Sequence, residues 1–250
     1  MNGRAGRLAW FQFRLERRMF WRNPSAAFFG FALPLVFLAL FGTIFHGDQE
    51  TLNYLVPGIA GMALASNTFS ALAMAVPILR DQGVLKRIRG TAMPTGSYVT
   101  AVLASAVVNA ILQIAIVVAA GRLFFGIGWP PHPVELLGSV LLGGVCLASL
   151  GVAYAHVIPS AEAASAYMNI VYLPAIFISG TFFDPANTPA VLRSIAEALP
   201  LAHIIDGLTG AMVTGRTLGD IAPGIGIIAL WTVAGIVFAV RGFRWESRSG

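Results

Sequence analysis

Charged residues are scarce in this sequence. Aspartate, glutamate, lysine and arginine together make up 11% of the 250 residues, whereas a soluble globular domain usually carries about 25%. Hydrophobic residues account for 57%, and the mean hydropathy is +0.77. The apolar residues occur in runs of about twenty, the length that crosses a bilayer as a helix. The composition therefore excludes a soluble globular domain and predicts an integral membrane protein.

Lysine and cysteine are almost missing. The one lysine, Lys86, is followed by Arg87, so the chain has no Gly-x-x-x-x-Gly-Lys-Ser/Thr phosphate loop with which to hydrolyse ATP. The one cysteine, Cys146, excludes a disulfide within the chain and a cysteine metal cluster. The histidines are scattered, without a His-Glu-x-x-His motif: His46, His132, His156 and His203. We therefore predict no catalytic residue, no metal site and no cofactor in this chain.

Six apolar segments predict the fold class. They comprise residues 28–45, 55–79, 98–125, 134–157, 164–183 and 221–240. Each can bridge a hydrocarbon core of about 30 Å as a helix, and only a helix satisfies its own backbone hydrogen bonds there. The third run is longer than one crossing requires and is expected to tilt or to lie partly in the interface. Because no internal repeat or linker is evident, we predict one all-α domain over residues 1–250 with six transmembrane helices.

The distribution of arginine and lysine predicts the orientation. Thirteen of the sixteen basic residues fall before the first span, between the second and third, or after the sixth. The other three, Arg122, Arg193 and Arg216, would lie on the opposite side. We predict a multi-pass protein of the bacterial cytoplasmic membrane with both termini in the cytoplasm. Basic residues placed between apolar runs determine topology, so no nucleic-acid partner is expected despite a pI near 10.0.

Residues 1–24 predict a helix that lies on the membrane. An apolar stripe recurs there at helical spacing, next to a stripe of arginines: Leu8, Phe11, Leu15 and Met19. The helix could serve as a lipid anchor alone, or it could also touch a cytoplasmic partner. Asn23-Pro24 is expected to end it, because proline disfavours helix at the preceding residue.

Residues 80–97 form the one sizeable charged loop predicted between spans on the cytoplasmic side. If the loop is helical, Val84, Leu85 and Ile88 share a face and Lys86 points away from it. Such a helix could rest its apolar face on the bundle and present charge to a soluble protein. The alternative is an ordinary loop whose charges only set the topology.

Several stretches resemble the ABC-2-type transporter permease family, and they occur in the family's order. RDQGVLKRIRGTAMP at 80–94 is similar to its cytoplasmic signature, YLVPG at 54–58 opens the second span as the family does, and LPAIFISGTFF at 173–183 is similar to its fifth span. NTP at 187–189, LPL at 199–201 and DGL at 206–208 are similar to its extracellular helical hairpin. The resemblance covers essentially the whole chain and is strongest to permeases of daunorubicin-resistance-type exporters.

This resemblance implies a mechanism. In the family, two permease subunits form the membrane core, as a homodimer or a heterodimer. Each rests on a cytosolic ATPase subunit that binds ATP and Mg and drives export. The helix after the second span fits a cleft of the ATPase, and the matching positions in this sequence are Arg80, Asp81, Gly83, Leu85, Lys86, Arg87 and Pro94. A sparsely charged path suits a hydrophobic drug or a lipid-like molecule, and glycoconjugates are also compatible because polysaccharide exporters share the family.

The resemblance also implies that residues 184–213 form an extracellular helical hairpin. Pro189 and Pro200 mark helix starts. Its apolar residues are expected to pack on the bundle, since they are too many for a solvated loop: Leu192, Ile195, Leu199, Ile204 and Leu208.

Four amide side chains inside the predicted spans are candidates for a substrate path: Asn67, Asn109, Gln113 and Asn169. Asn109 and Gln113 are four residues apart and so share a helix face. They could instead join helices through hydrogen bonds worth about 1 kcal/mol or less. The sequence leaves both interpretations open.

Two other functions compete with export by an ATP-driven complex. An ion-coupled transporter usually needs ionisable side chains within the membrane, and every acidic residue here falls near a span end or in a loop. An intramembrane enzyme that modifies membrane lipids would need a catalytic constellation, and the sequence has no paired carboxylates at helical spacing.

Overall fold

The described part of the chain is helical. In the computed structural model, residues 2–22, 24–91, 93–182, 189–217 and 219–243 are described, and they contain helices, turns and connections but no strand. In chain order the helices are α1 Asn2–Arg22, α2 Pro24–Ile44, α3 Gln49–Ala65, α4 Ala71–Asp81, α5 Val84–Arg89, α6 Thr95–Phe125, α7 Pro133–Tyr154, α8 Ala164–Ile178, α9 Ala190–Ala198, α10 Pro200–Thr209 and α11 Ala222–Arg241. One π-helical turn, Ser66–Ser70, joins α3 to α4, and another, Gly210–Thr214, follows α10. The all-α prediction is confirmed.

Four of these helical segments are long and apolar enough to cross a membrane: Gln49–Asp81, Thr95–Phe125, Pro133–Tyr154 and Ala222–Arg241. The first is the continuous rod of α3, the π-helical turn and α4. Two further apolar stretches, Gly30–Ile44 of α2 and Ala164–Ile178, are shorter. The prediction of a membrane protein is confirmed at this level, and the count of six crossings stays a prediction.

Most helix boundaries differ by a few residues from the predicted segments, and the ends of the second and fifth segments are examples. The second span does not end at Leu79, because α4 continues through Arg80 to Asp81. The fifth span was expected to reach Phe183, which lies outside the described residues, but α8 already ends at Ile178. The reason is a turn in which Gly180 adopts a positive φ of 81°, a conformation that only glycine reaches without strain.

The connections between the helices gather at two ends of the bundle. At the α5 end, Arg80 at the close of α4 donates a 2.7 Å hydrogen bond to the carbonyl of Ile158, which follows α7. At the α9 end, the Tyr54 hydroxyl donates to the Gly180 carbonyl, and the indole of Trp231 donates to the Ala198 carbonyl over 3.0 Å. Helix residues therefore contact loops and helix ends that are distant in sequence.

Glycines let the helices of this bundle approach one another closely. A Cβ added at Gly58 on α3 would lie 2.1 Å from the Thr181 carbonyl oxygen, and one at Gly151 on α7 would lie 2.6 Å from the Phe69 carbonyl oxygen. Real Cβ atoms essentially never come so close. Phe69 belongs to the π-helical turn, so this turn sits directly against α7.

Helix α1 packs lengthwise along the beginning of α6. Ser97 donates to the Ala5 carbonyl over 3.3 Å, and Arg17 donates to the Asn109 amide oxygen. The two contacts lie twelve residues apart on each helix, or about 18 Å at the rise of an α-helix. The predicted apolar stripe faces outward, with Phe11 66% exposed, while the polar Gln12 is buried. Whether α1 lies on a membrane surface stays a prediction.

The segment at 189–214 forms two short helices. Helix α9 begins after Pro189 and α10 begins at Pro200, as the prolines predict, whereas 184–188 lie outside the described residues. Ile204 and Leu208 of α10 are 1% and 0% exposed. The prediction that α9 packs on the bundle through its own apolar residues was wrong, because no residue of α9 is buried and Leu192 and Ile195 are 38% and 44% exposed.

Candidate functional site

Helix α5 presents basic side chains from an anchored position. Gly83 precedes it with a positive φ of 70°, which turns the chain sharply away from α4. Leu85 is 0% exposed and Ile88 is half-buried, so the apolar face predicted from helical spacing does rest on the bundle. Lys86 and Arg87 are exposed on the opposite side. The arrangement is a small cationic surface held rigidly by one buried leucine.

Leu85 belongs to a cluster of buried residues from α5 and four other helices. Its residues, which we call the α5-end cluster, include Leu72 and Val76 of α4, Tyr98 and Val102 of α6, Val152 of α7 and Ala239 of α11. Tyr98 packs edge-on against Phe243 with ring centroids 5.4 Å apart, and Phe243 also packs against His156 at 5.7 Å. Leu85 thus ties α5 to the same cluster of buried residues that joins α4, α6, α7 and α11.

Pro94 closes the segment that carries α5. It is extended, with φ −66° and ψ 142°, and α6 begins at the next residue. Proline fixes φ and favours the first positions of a helix, so it sets where α6 starts. Between the two helices, Thr91 donates a 2.6 Å hydrogen bond from its hydroxyl to the Ile88 carbonyl.

Arg80 and Asp81, at the end of α4, both form hydrogen bonds with the turn after α7. The Arg80 side chain is 5% exposed and donates to the carbonyls of Ile158 and Pro159, at 2.7 and 3.1 Å. The Asp81 carboxylate accepts a 2.6 Å hydrogen bond from the Ala161 amide. A charged contact between Arg80 and a soluble partner stays a prediction. Its guanidinium is already used inside the protein.

Three of the four polar candidates converge on α1 and α2. Gln113 donates a 3.0 Å hydrogen bond to the Phe31 carbonyl, and Asn109 accepts from Arg17. The Asn67 amide oxygen lies 4.0 Å from where a Cβ of Gly30 would be. Asn67 also donates to the Ala63 carbonyl over 3.1 Å. The fourth, Asn169, is half-buried on α8, so the structure does not join all four into one path.

A cavity lies between α8 and α11, which the sequence analysis did not predict. It has a volume of about 570 Å³ and is bounded mainly by apolar side chains: Phe69, Leu150, Tyr154, Tyr172, Trp231 and Phe238. No periodic pattern marks such a space, because it arises where two helices fail to touch.

Two carboxyl groups outside the long apolar helices have pKa values shifted in opposite directions. The pKa of Asp48, at the N-terminus of α3, lies below its usual value because the Thr51 hydroxyl and amide both donate to it. The pKa of Glu16 on α1 is raised by burial, against the lowering effect of the hydrogen bond from Gln12. Among the described residues, no group of three or more His, Cys, Asp or Glu side chains could hold a metal ion.

A helical membrane bundle with a cationic helix anchored at one end has the make-up of a transport permease. The chain belongs to the ABC-2 type transporter family, whose sequence profile matches residues 8–213. The predicted family is thereby confirmed.

Several curated proteins are similar to this chain over most of its length. Nodulation protein J of Rhizobium leguminosarum bv. viciae is 26% identical over 242 residues, which covers 92% of this chain and 91% of that protein. Nodulation protein J of Rhizobium meliloti (strain 1021) is 28% identical over 211 residues, covering 80% and 78%. A linearmycin resistance permease protein of Bacillus subtilis (strain 168) is 25% identical over 182 residues, covering 72% of this chain and 46% of that protein.

Proposed function

We propose that this chain is the membrane permease subunit of an ATP-binding-cassette exporter in a bacterial cytoplasmic membrane. It would not hydrolyse ATP itself. A separate cytosolic ATPase subunit would bind ATP and Mg and drive outward transport. The observation that carries the proposal is α5, a cationic helix locked to the bundle by the fully buried Leu85 in a chain of the ABC-2 type transporter family.

The proposed topology has six crossings, with both termini and α5 on the cytoplasmic side. The alternating ends of the helices support it, because α5 and the turn after α7 meet at one end and Tyr54 meets Gly180 at the other. Arg122 and Arg193 belong to the α9 end, whereas Lys86 and Arg87 belong to the α5 end. That distribution agrees with the excess of basic residues in cytoplasmic loops.

A second permease subunit is part of this proposal. Helix α8 leaves Ile170, Leu173 and Phe177 exposed at 68%, 47% and 54%, and α2 leaves Val36 59% exposed. Side chains of this kind suit another subunit or membrane lipid. Either would complete the membrane core.

The proposed cargo is a hydrophobic drug, a lipid-like molecule or a glycoconjugate. The apolar cavity of about 570 Å³ between α8 and α11 supports a hydrophobic molecule. The name of the linearmycin resistance permease supports export of a toxic compound. A glycoconjugate stays a second cargo class, to be separated by transport assays with both kinds of molecule.

Charge reversal on α5 tests the proposal. In vesicles that contain the permease and its ATPase, the double variant Lys86→Glu and Arg87→Glu should insert normally but lose transport and substrate-stimulated ATP hydrolysis at least tenfold. Like charges placed against an acidic partner surface cost on the order of several kcal/mol. The matched control is Arg122→Glu with Arg193→Glu, the same change of charge at the α9 end, which should leave coupling intact.

The same vesicles discriminate the competing functions. Transport that follows an ion gradient and persists without ATP or the ATPase would identify an ion-coupled transporter. Turnover of lipid by the purified chain alone would identify an enzyme. Normal transport by the α5 double variant would contradict the assignment of α5 as the ATPase contact.

A further inference from the structure

A buried arginine joins the end of α4 to the turn between α7 and α8. Arg80 donates to two successive carbonyls, those of Ile158 and Pro159. Its neighbour Asp81 accepts from the Ala161 amide, and the Arg80 Nε atom lies 3.7 Å from the Asp81 carboxylate. We call Arg80, Asp81 and the 158–161 backbone the arginine clamp.

The chemistry of the clamp favours one fixed geometry. A guanidinium taken out of water is tolerated only where acceptors compensate for its lost hydration. Its planar array of donors can serve two carbonyls at once, which a lysine ammonium on a flexible stem does less well. The turn at 158–161 is consequently held against the end of α4 by three hydrogen bonds from two adjacent residues.

Along the chain, one part of the clamp comes just before α5 and the other part just before α8. On one side, α5 begins three residues after Asp81, beyond the turn at Gly83. On the other side, α8 begins three residues after Ala161. Elsewhere α8 packs on the α3–α4 rod through its buried face, where the Ser70 hydroxyl donates to the Met168 sulfur at 2.8 Å and the Tyr172 hydroxyl donates to the Met62 carbonyl at 3.4 Å.

We propose that Arg80 and Asp81 are positioning residues that transmit movement of α5 to α8. This rests on the proposed function, in which the ATPase moves α5. The anchored α5 displaces the end of α4, and the clamp carries that displacement to the first turn of α8. Helix α8 can respond because much of its surface is not packed against the described bundle, as the exposure of Ile170 shows. It also borders the cavity beside α11, so its movement would change the space offered to a hydrophobic cargo.

The test uses the reconstituted permease–ATPase complex with three variants, two of Arg80 and one of Asp81. Arg80→Met keeps much of the side-chain length and removes every donor. Arg80→Lys keeps the charge and one donor group. Asp81→Ala removes the acceptor for Ala161. Spin labels at Val134→Cys and Ser165→Cys, in a Cys146→Ser background, report the distance between the far end of α7 and the first turn of α8 with and without ATP.

Loss of the clamp is expected to leave binding of the ATPase subunit intact and to uncouple ATP hydrolysis from transport. With Arg80→Met the ATPase subunit should still co-purify and hydrolyse ATP, transport should fall at least tenfold, and the ATP-dependent change of the label distance should vanish. Arg80→Lys should be intermediate in both readouts. A merely structural role for Arg80 would lower the amount of folded complex without uncoupling the remaining complex.

A covalent rescue separates loss of the clamp from misfolding. In the Arg80→Met background, Asp81→Cys and Ala161→Cys are joined by a short bifunctional thiol reagent, which should restore transport at least partly. If Arg80→Met does not insert, the same rescue is applied to Arg80→Lys. The proposed role of the arginine clamp would be overturned if Arg80→Met transported at the wild-type rate. It would also be overturned if ATP changed the label distance in Arg80→Met as much as in the wild type. A wild-type chain that neither binds an ATPase nor transports with ATP would instead overturn the proposed function.

Discussion

Gly151 shows how little space separates the helices of this bundle. Its α-carbon faces the backbone of the π-helical turn, and an added Cβ would lie 2.6 Å from the Phe69 carbonyl oxygen and 2.9 Å from the Phe69 Cα. Both neighbours are backbone atoms in the middle of a long helical rod. Neither can rotate away as a flexible side chain could.

Gly151→Ala should therefore destabilise the protein. We expect a loss of about 1–3 kcal/mol, the usual effect of overpacking a well-packed interior, measured as a lower melting temperature in detergent. Gly96→Ala in α6 is the control, because nothing lies within 4 Å of its Cβ position and alanine is the better helix former. Equal melting temperatures for the two variants would show that α7 and the π-helical turn are not in close contact.

Glu16 is the second residue with a testable energetic role. Burial raises its pKa, so ionisation is harder in the folded state than in the unfolded one. Stability should fall as pH rises from its ordinary pKa to the raised value, and above that the full penalty should remain. Glu16→Gln should raise the melting temperature near neutral pH and flatten its dependence on pH. Glu197→Gln on the exposed surface of α9 is the control, and an equal effect there would contradict the role of burial.

At the scale of secondary-structure elements, the helical spacing of apolar residues predicted which side of α5 is buried. Leu85 and Ile88 share a face of any helix, so their burial followed from spacing. The burial of Arg80 could not be predicted from spacing, because a charged residue beside other charges is normally solvated. The carbonyls that accept its hydrogen bonds belong to the distant residues 158 and 159. The early end of α8 was missed for a similar reason. A short apolar run does not show that Gly180 turns the chain toward Gly58 and Tyr54.

The turn into α5 depends on a single backbone conformation. Gly83 has a φ of 70°, so Gly83→Ala should strain the turn by about 1–2 kcal/mol and lower substrate-stimulated ATP hydrolysis. Gly83→Asn should be milder, since asparagine tolerates left-handed conformations better. Open space around the Cβ position means that both effects arise from the backbone. Equal, normal coupling in the two variants would show that α5 does not need this turn.

At the scale of the whole molecule, the two ends of the bundle carry different sets of polar and charged groups. The α5 end holds Lys86, Arg87 and the arginine clamp, while the α9 end holds the helices α9 and α10, with Asp206 and Arg216 paired at 2.5 Å. The order of apolar runs and the excess of basic residues were sufficient to predict this division. The contacts that unite each end join residues far apart in sequence, 126 positions for Tyr54 with Gly180 and 78 for Arg80 with Ile158, and they have no local signature.

Cysteine labelling in intact cells should place these ends on opposite sides of the membrane. The native Cys146 is buried and should not react, so the wild-type chain serves as the background. Glu50→Cys and Arg193→Cys at the α9 end should react with a membrane-impermeant maleimide added outside. Gly90→Cys and Glu162→Cys at the α5 end should react only after the cells are permeabilised. The physical reason is the strong preference for basic loops to remain cytoplasmic, which applies to the α5 segment and to the N-terminal arginines together. Reaction of Gly90→Cys from outside would invert the orientation, and it would also place α5 out of reach of any cytosolic ATPase.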